Sequence, residues 1–142
     1  MELESYIRHI PGFPRQGILF HDIMPMLQDA EAFHYAVDRL AEYARGRQVD
    51  LILGAEARGF ILGAALAYAL RVGFATARKP GKLPYTVNRC EYDLEYGTDV
   101  LEIHADAIKP GQRVLIHDDL LATGGTAAAK VQLVENSGGV VA

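Results

Sequence analysis

The run Val114 to Thr126, Val-Leu-Ile-His-Asp-Asp-Leu-Leu-Ala-Thr-Gly-Gly-Thr, constrains the fold more than any other part of this chain. Its apolar start suits a buried parallel strand that runs into two adjacent carboxylates. Small residues fit for a tight loop follow, and then a helix-forming stretch from Ala127 to Glu135. A strand, an acid pair, a Gly/Thr loop and a helix N-terminus together make a cradle for a sugar phosphate. Backbone N–H groups of the loop and the first helical turn can point at phosphate oxygens, aided by the helix dipole. Thr123 and Thr126 add hydroxyl donors, while Gly124 and Gly125 let the main chain approach without a Cβ in the way. The loop lacks the Gly-x-x-x-x-Gly-Lys-Ser/Thr pattern of a P-loop. Its carboxylates, Asp118 and Asp119, can instead accept hydrogen bonds from ribose hydroxyls or hold Mg²⁺ through water.

Elsewhere the pattern is that of an α/β chain. Asp29 is a candidate N-cap for a helix with Phe33, Val37, Leu40, Ala41 and Ala44 at helical spacing, and Gly46 ends it. Residues 49–53 read as a buried strand, 54–59 as a turn, 60–70 as a hydrophobic helix and 74–77 as a strand. A basic loop over 79–84 precedes a β-hairpin over 86–103, turning near Gly97 and polar enough to lie outside the core. The first segment, broken by Pro11, Gly12, Pro14 and Gly17, reads as an irregular arm after a short helix near residues 3–8. The predicted fold is therefore a central, mainly parallel sheet flanked by helices, with an inserted hairpin flap and its ligand at the C-terminal ends of the strands.

At 142 residues the chain has the size of a single domain, with an arm at about 1–28 and a flap at about 79–104. Half of it is hydrophobic and the net charge is −4, which gives no reason to expect a nucleic-acid surface. An anionic ligand must then be drawn by a local basic cluster. One cysteine, Cys90, excludes an internal disulfide and argues against zinc. The N-terminus lacks a signal-peptide pattern, and the longest apolar run, 60–70, is too short to span a bilayer. A soluble, cytoplasmic protein is expected, without a nucleic-acid or membrane partner.

The Asp-Asp-Leu-Leu-Ala-Thr-Gly-Gly-Thr string resembles the phosphoribosyl-diphosphate (PRPP) signature of type I phosphoribosyltransferases, in the form found in adenine phosphoribosyltransferases. A bare Asp-Asp pair is usually a solvated turn; the nine-residue string after a hydrophobic strand is far more specific. Three further segments extend the resemblance over nearly the whole chain. Glu56-Ala-Arg-Gly-Phe60, alone an ordinary surface ion pair, is similar to the family's diphosphate loop, in which Arg58 would grip the leaving group bidentately. Arg78-Lys-Pro-Gly-Lys-Leu-Pro84, alone a solvated basic loop, resembles the stretch that lies at the family's dimer interface. There Arg78, and more loosely Lys79 and Lys82, would serve the diphosphate end of the neighbouring site. Leu94-Glu-Tyr-Gly97, alone a hairpin edge, resembles the family's flap motif. It makes Glu95 the candidate proton handler and Tyr96 a cover for the site.

Gly17-Ile-Leu-Phe-His-Asp-Ile23 resembles the family's base-recognition arm. Backbone groups around Leu19 and His21 would read the adenine edge and Phe20 would stack on the ring, although a core Phe is the commoner fate. The resemblance implies adenine plus PRPP giving AMP and diphosphate, a purine-salvage step, with Mg²⁺ accompanying PRPP and a homodimer. A 6-oxopurine phosphoribosyltransferase and a non-catalytic PRPP or purine sensor are the alternatives. His21, Met24 and His117 depart from the family pattern, which has arginine, Thr or Ser, and valine there. His117 is expected to be a hydrogen-bonded structural histidine. Val140-Val141-Ala142 starts a strand that family members continue, so the chain reads as C-terminally shortened.

Overall fold

The structure is a computed structural model that describes residues 1–93, 97–118 and 125–142, and the side chains of all of these except 125 and 126. The chain forms two compact units, Met1–Leu40 and Ala41–Ala142. The helix that crosses their boundary is common to both.

In the first unit a 3-10 turn at Leu3–Tyr6 precedes strand β1 (Arg8–Pro11), which pairs antiparallel with β2 (Leu19–Asp22). The arm is thus a hairpin where the sequence suggested irregular chain. Strands this short carry too little alternation to be recognised; of the residues taken as breakers, Pro11 ends β1 while Gly12, Pro14 and Gly17 build the connecting loop. Gly12 (φ +74) and Gly17 (φ +89) adopt the left-handed backbone that the loop requires. A short helix α1 (Met24–Gln28) and the long α2 (Ala30–Arg45) follow. Asp29 caps α2 as expected, its Oδ1 accepting from Ala32 N–H at 2.9 Å.

The second unit is built on a four-stranded parallel sheet in the order β4-β3-β7-β8. Its strands are β3 (Leu51–Ala55), β4 (Gly73–Ala77), β7 (Arg113–His117) and the two-residue β8 (Val140–Val141), and β3 is buried along its whole length. Strand alternation divides its side chains between the two faces. Helix α3 (Gly59–Leu70) packs on β3 and β4, where Gly54 is needed: a Cβ there would lie 2.9 Å from the Gly59 carbonyl oxygen and from the Phe74 ring. Leu51, Leu53 and Val114 instead join a core with Ala129, Leu133 and Val134 of α4 (Gly125–Asn136).

That same core includes Cys90, Leu101 and Ile103 of an antiparallel hairpin, β5 (Val87–Asp93) and β6 (Thr98–His104). The hairpin was expected to lie outside the core, and this expectation fails. Its alternation is polar on one side only; the other side buries Leu101 and Ile103 at 3% and 0% exposure. The base of the flap is consequently part of the scaffold, tied to α4 by Cys90 Sγ–Gln132 (3.3 Å). No helix among the described residues is long and apolar enough to cross a membrane.

Candidate active site

Three loops leave the sheet at one edge because the strands end in register. Gly54 lies opposite His117 and Ala55 opposite Ala77, so Glu56, Arg78 and Asp118 each follow the C-terminal end of a parallel strand. The turn Glu56–Arg58, whose Glu56–Ala57 peptide is cis, leads into α3, and Arg58 occupies that helix's N-cap position. Gly59 brings this turn against the acid-bearing loop. A Cβ on Gly59 would stand 3.5 Å from Asp118 Oδ1 and 3.5 Å from the His117 carbonyl oxygen. The sequence-predicted diphosphate loop and the first carboxylate of the signature are therefore neighbours.

Glu56 does not remain a surface group. Its carboxylate accepts from Arg78 Nη2 at 3.1 Å and from the Lys79 backbone N–H at 2.7 Å. Burial alone would raise its pKa, but these hydrogen bonds and the Arg78 charge outweigh it and hold the carboxyl below its ordinary range. The basic loop starting at Arg78 is thus pinned to the diphosphate loop of the same chain. Lys79 pairs with Asp99 on β6, a hydrogen bond that raises the lysine's pKa and lowers that of the aspartate. Arg78 also bridges Glu102 through the main chain, N–H to carbonyl in both directions at 2.9 and 2.8 Å.

Two residues that the sequence reading missed organise this edge. Glu102, on β6, is 2% exposed; its carboxylate accepts from Arg89 Nη2 at 2.6 Å and from Gly81 N–H at 3.3 Å, holding the basic loop to the hairpin. Lys130, on α4, is 1% exposed and donates to Asp118 Oδ2 at 2.8 Å. Its signal was present in the sequence. With Ala129, Leu133 and Val134 it falls on one helical face, and those three are core residues.

His117 differs from its expected state among the described residues. The ring is buried, yet Nε2 has no hydrogen-bond partner among the described residues. Burial pushes its pKa down, which keeps it neutral.

Leu19, Phe20 and His21 lie consecutively on β2 of the first unit. Leu19 is half exposed, Phe20 meets Phe13 edge-to-face with ring centroids 5.1 Å apart, and His21 Nδ1 lies 3.0 Å from His9 Nδ1 across the hairpin. Gly125 and Thr126 open α4. Glu95, Tyr96, Asp119, Ala122, Thr123 and Gly124 lie outside the described residues. Among the described residues no group of three or more His, Cys, Asp or Glu is placed to hold a metal ion.

Known proteins share this arrangement. The family model for the phosphoribosyl transferase domain matches residues 23–141. The adenine phosphoribosyltransferase of Thermoanaerobacter pseudethanolicus is 58% identical, with a TM-score of 0.94 over 98% of this chain and 81% of that one. The enzyme of Rhodothermus marinus is 51% identical, with a TM-score of 0.94 over 98% and 79%. That of Saccharomyces cerevisiae, solved with an imino-altritol bisphosphate and adenine, is 40% identical, with a TM-score of 0.93 over 98% and 81%. With a PRPP-type signature, a diphosphate-type turn beside it and relatives this similar, the chain belongs to the phosphoribosyltransferases, among the adenine phosphoribosyltransferases.

Proposed function

We infer that this chain transfers the phosphoribosyl group of PRPP to adenine, releasing diphosphate and forming AMP in purine salvage. The observation that carries the reading is the meeting of Gly59 and Asp118 Oδ1 at the C-terminal edge of the parallel sheet. A diphosphate seated at the start of α3 and a ribose at Asp118 would then lie side by side, as they do in PRPP. Adenine in the yeast relative supports the choice of base.

In the reaction the purine nitrogen forms a bond to the anomeric carbon as the carbon–oxygen bond to diphosphate breaks. Positive charge builds on the ribose in the transition state. Asp118 and Asp119 would hold the ribose hydroxyls and favour that charge. Ala122, Thr123, Gly124, Gly125 and Thr126 would hold the 5′-phosphate with backbone N–H groups and hydroxyls. Arg58, with Arg78, Lys79 and Lys82, would take up the charge of the departing diphosphate. Glu95 would accept the proton that the purine nitrogen loses, and Tyr96 would cover the site. Leu19 and His21 would read the adenine edge through their backbone groups, with Phe20 stacked on the ring.

Mg²⁺ fits this donor set only as an ion brought with PRPP. The described residues offer no cage of three or more ligands, whereas Asp118, with Asp119 beside it, suits contact through water. When bound, it would neutralise diphosphate charge. The protein is further read as a cytoplasmic homodimer in which Arg78 serves the partner's site. Tyr85, 75% exposed next to the basic loop, suits such an interface.

The test is AMP formation from adenine and PRPP with Mg²⁺, with hypoxanthine and guanine in parallel. Turnover with adenine alone is expected. Turnover with the 6-oxopurines would make this a 6-oxopurine enzyme, and PRPP binding without turnover of any base would make it a sensor.

A further inference from the structure

We propose that Lys130 is a positioning residue for the reaction: its buried ammonium holds Oδ2 of Asp118 and so sets the orientation in which that carboxylate meets the ribose of PRPP. The proposal rests on the reading of Asp118 as a ribose acceptor given above.

Lys130 is the largest fully buried side chain of the described residues, at 1% exposure. An ammonium so far from water is tolerated only with a close anionic partner, and Asp118 Oδ2 supplies it at 2.8 Å. Such a pair is a poor device for stability, because an apolar side chain of similar volume often serves the fold equally well. What the lysine does is better sought in its effect on Asp118. That carboxylate is not buried; its side chain is 27% exposed and reaches the sheet edge.

The two carboxylate oxygens have different surroundings. Oδ2 is held by Lys130, whereas Oδ1 lies toward Gly59, where the diphosphate loop begins. A carboxylate held at Oδ2 by a buried ammonium cannot rotate freely, so it meets a hydroxyl donor in a set orientation. That is preorganisation of an acceptor. The ammonium also cancels the local charge of Asp118, which lowers the repulsion between the acid pair and an anionic sugar phosphate. Lys130 sits on the helix that starts at Gly125, within the proposed phosphate-binding stretch. The helix that would receive the 5′-phosphate is thereby tied to the carboxylate that would receive the ribose.

The experiment is a double-mutant cycle on the full chain. PRPP binding by calorimetry, kcat and both KM values are measured for wild type, Asp118→Asn, Lys130→Met and the double variant, with thermal unfolding of each. Lys130→Met is expected to weaken PRPP about tenfold or more while leaving KM for adenine unchanged, the scale of a lost charge-assisted hydrogen bond. The double variant should bind PRPP no more weakly than Asp118→Asn alone. Lys130→Gln, which keeps a donor for Asp118, should recover part of the binding; a role in packing alone predicts the reverse order, with Met better than Gln. Full PRPP affinity in a folded Lys130→Met, or additive losses in the cycle, would overturn the proposal. Unaltered binding by Asp118→Asn would instead remove the reading of Asp118 itself. If neither Lys130 variant folds, lysine side-chain ¹⁵N resonances of the unmodified protein decide. One exchange-protected ammonium, lost in Asp118→Asn, must shift on adding PRPP, and its indifference to PRPP defeats the proposal.

Discussion

Two ion pairs of the second unit are built with inverted polarity. At the sheet edge the cation is buried and the acid reaches solvent: the Lys130 side chain is 1% exposed and that of Asp118 27%. At the hairpin the acid is buried and the cation reaches solvent: Glu102 is 3% exposed and Arg89 66%. In each, the buried member belongs to the scaffold and the exposed member is the adjustable one. The difference lies in what the exposed member faces. Asp118 opens onto the diphosphate turn, where a substrate would arrive, whereas Arg89 ends in solvent and Glu102 spends its remaining capacity on Gly81 N–H. On the proposed reading the first pair presents a functional group, whereas the second anchors a loop.

Deleting the exposed member should therefore damage the fold more than deleting the buried one, because it strands a charge away from water. The largest effect is expected at Asp118→Ala, which leaves the Lys130 ammonium unpaired and should cost about 3–5 kcal/mol of stability. Lys130→Met leaves only a carboxylate that water can reach and should cost about 1 kcal/mol or less. Urea unfolding at neutral pH measures both. Equal losses from the two variants would break the comparison at its first limb.

The second limb predicts a smaller asymmetry. Arg89→Ala removes the strongest partner of a buried carboxylate but leaves Gly81 N–H in place, so about 2–3 kcal/mol is expected. Glu102→Gln keeps a carbonyl acceptor for Gly81 and leaves Arg89 hydrated, and should cost about 1 kcal/mol. If Glu102→Gln proves the more harmful of the two, the carboxylate is acting on something other than Arg89.

The central sheet and its edge were legible in the sequence because their patterns are local. A buried strand next to Asp118, a Gly-rich turn before Phe60 and a helix capped by Asp29 each declare themselves within a few residues. What was missed depends on side chains far apart in the chain. Glu102 sits in an alternating hairpin whose apolar side looked too weak for a core, although Leu101 and Ile103 are buried. Lys130 follows three alanines, and a lysine in a helix is ordinarily a solvated one. Only the packing of α4 turns it inward. The N-terminal hairpin went unrecognised because its strands are four residues each.

Glu56 and Arg78 form a third pair, with side chains 19% and 32% exposed, that neither extreme describes. Here pH is the sharper probe. The Glu56 carboxyl lies below its ordinary value of 4.5 in the fold. A depressed carboxyl binds fewer protons folded than unfolded, so its contribution is complete above that ordinary value and is lost as pH falls through the folded one. Glu56→Gln should lower the unfolding temperature slightly at pH about 7, on the scale of a partly exposed pair, well under about 1 kcal/mol. The gap to wild type should close below the ordinary value. A gap that stays constant to low pH would mean that the charge of Glu56 contributes nothing.

His117 supplies the control that the three ion pairs lack, a buried polar group whose Nε2 has no partner among the described residues. Stranding one ring nitrogen costs about 1–3 kcal/mol, while trimming the ring to an aliphatic side chain forfeits a comparable packing contribution. His117→Val should then shift stability by no more than about 1 kcal/mol, and toward a more stable protein. Since Nε2 holds no partner among the described residues, the variant should also leave KM for PRPP unchanged. Urea unfolding together with PRPP kinetics measures the pair of expectations. A loss above about 2 kcal/mol would show that the imidazole is bonded in solution, and would place His117 with Lys130 among the buried groups that hold the sheet edge in order.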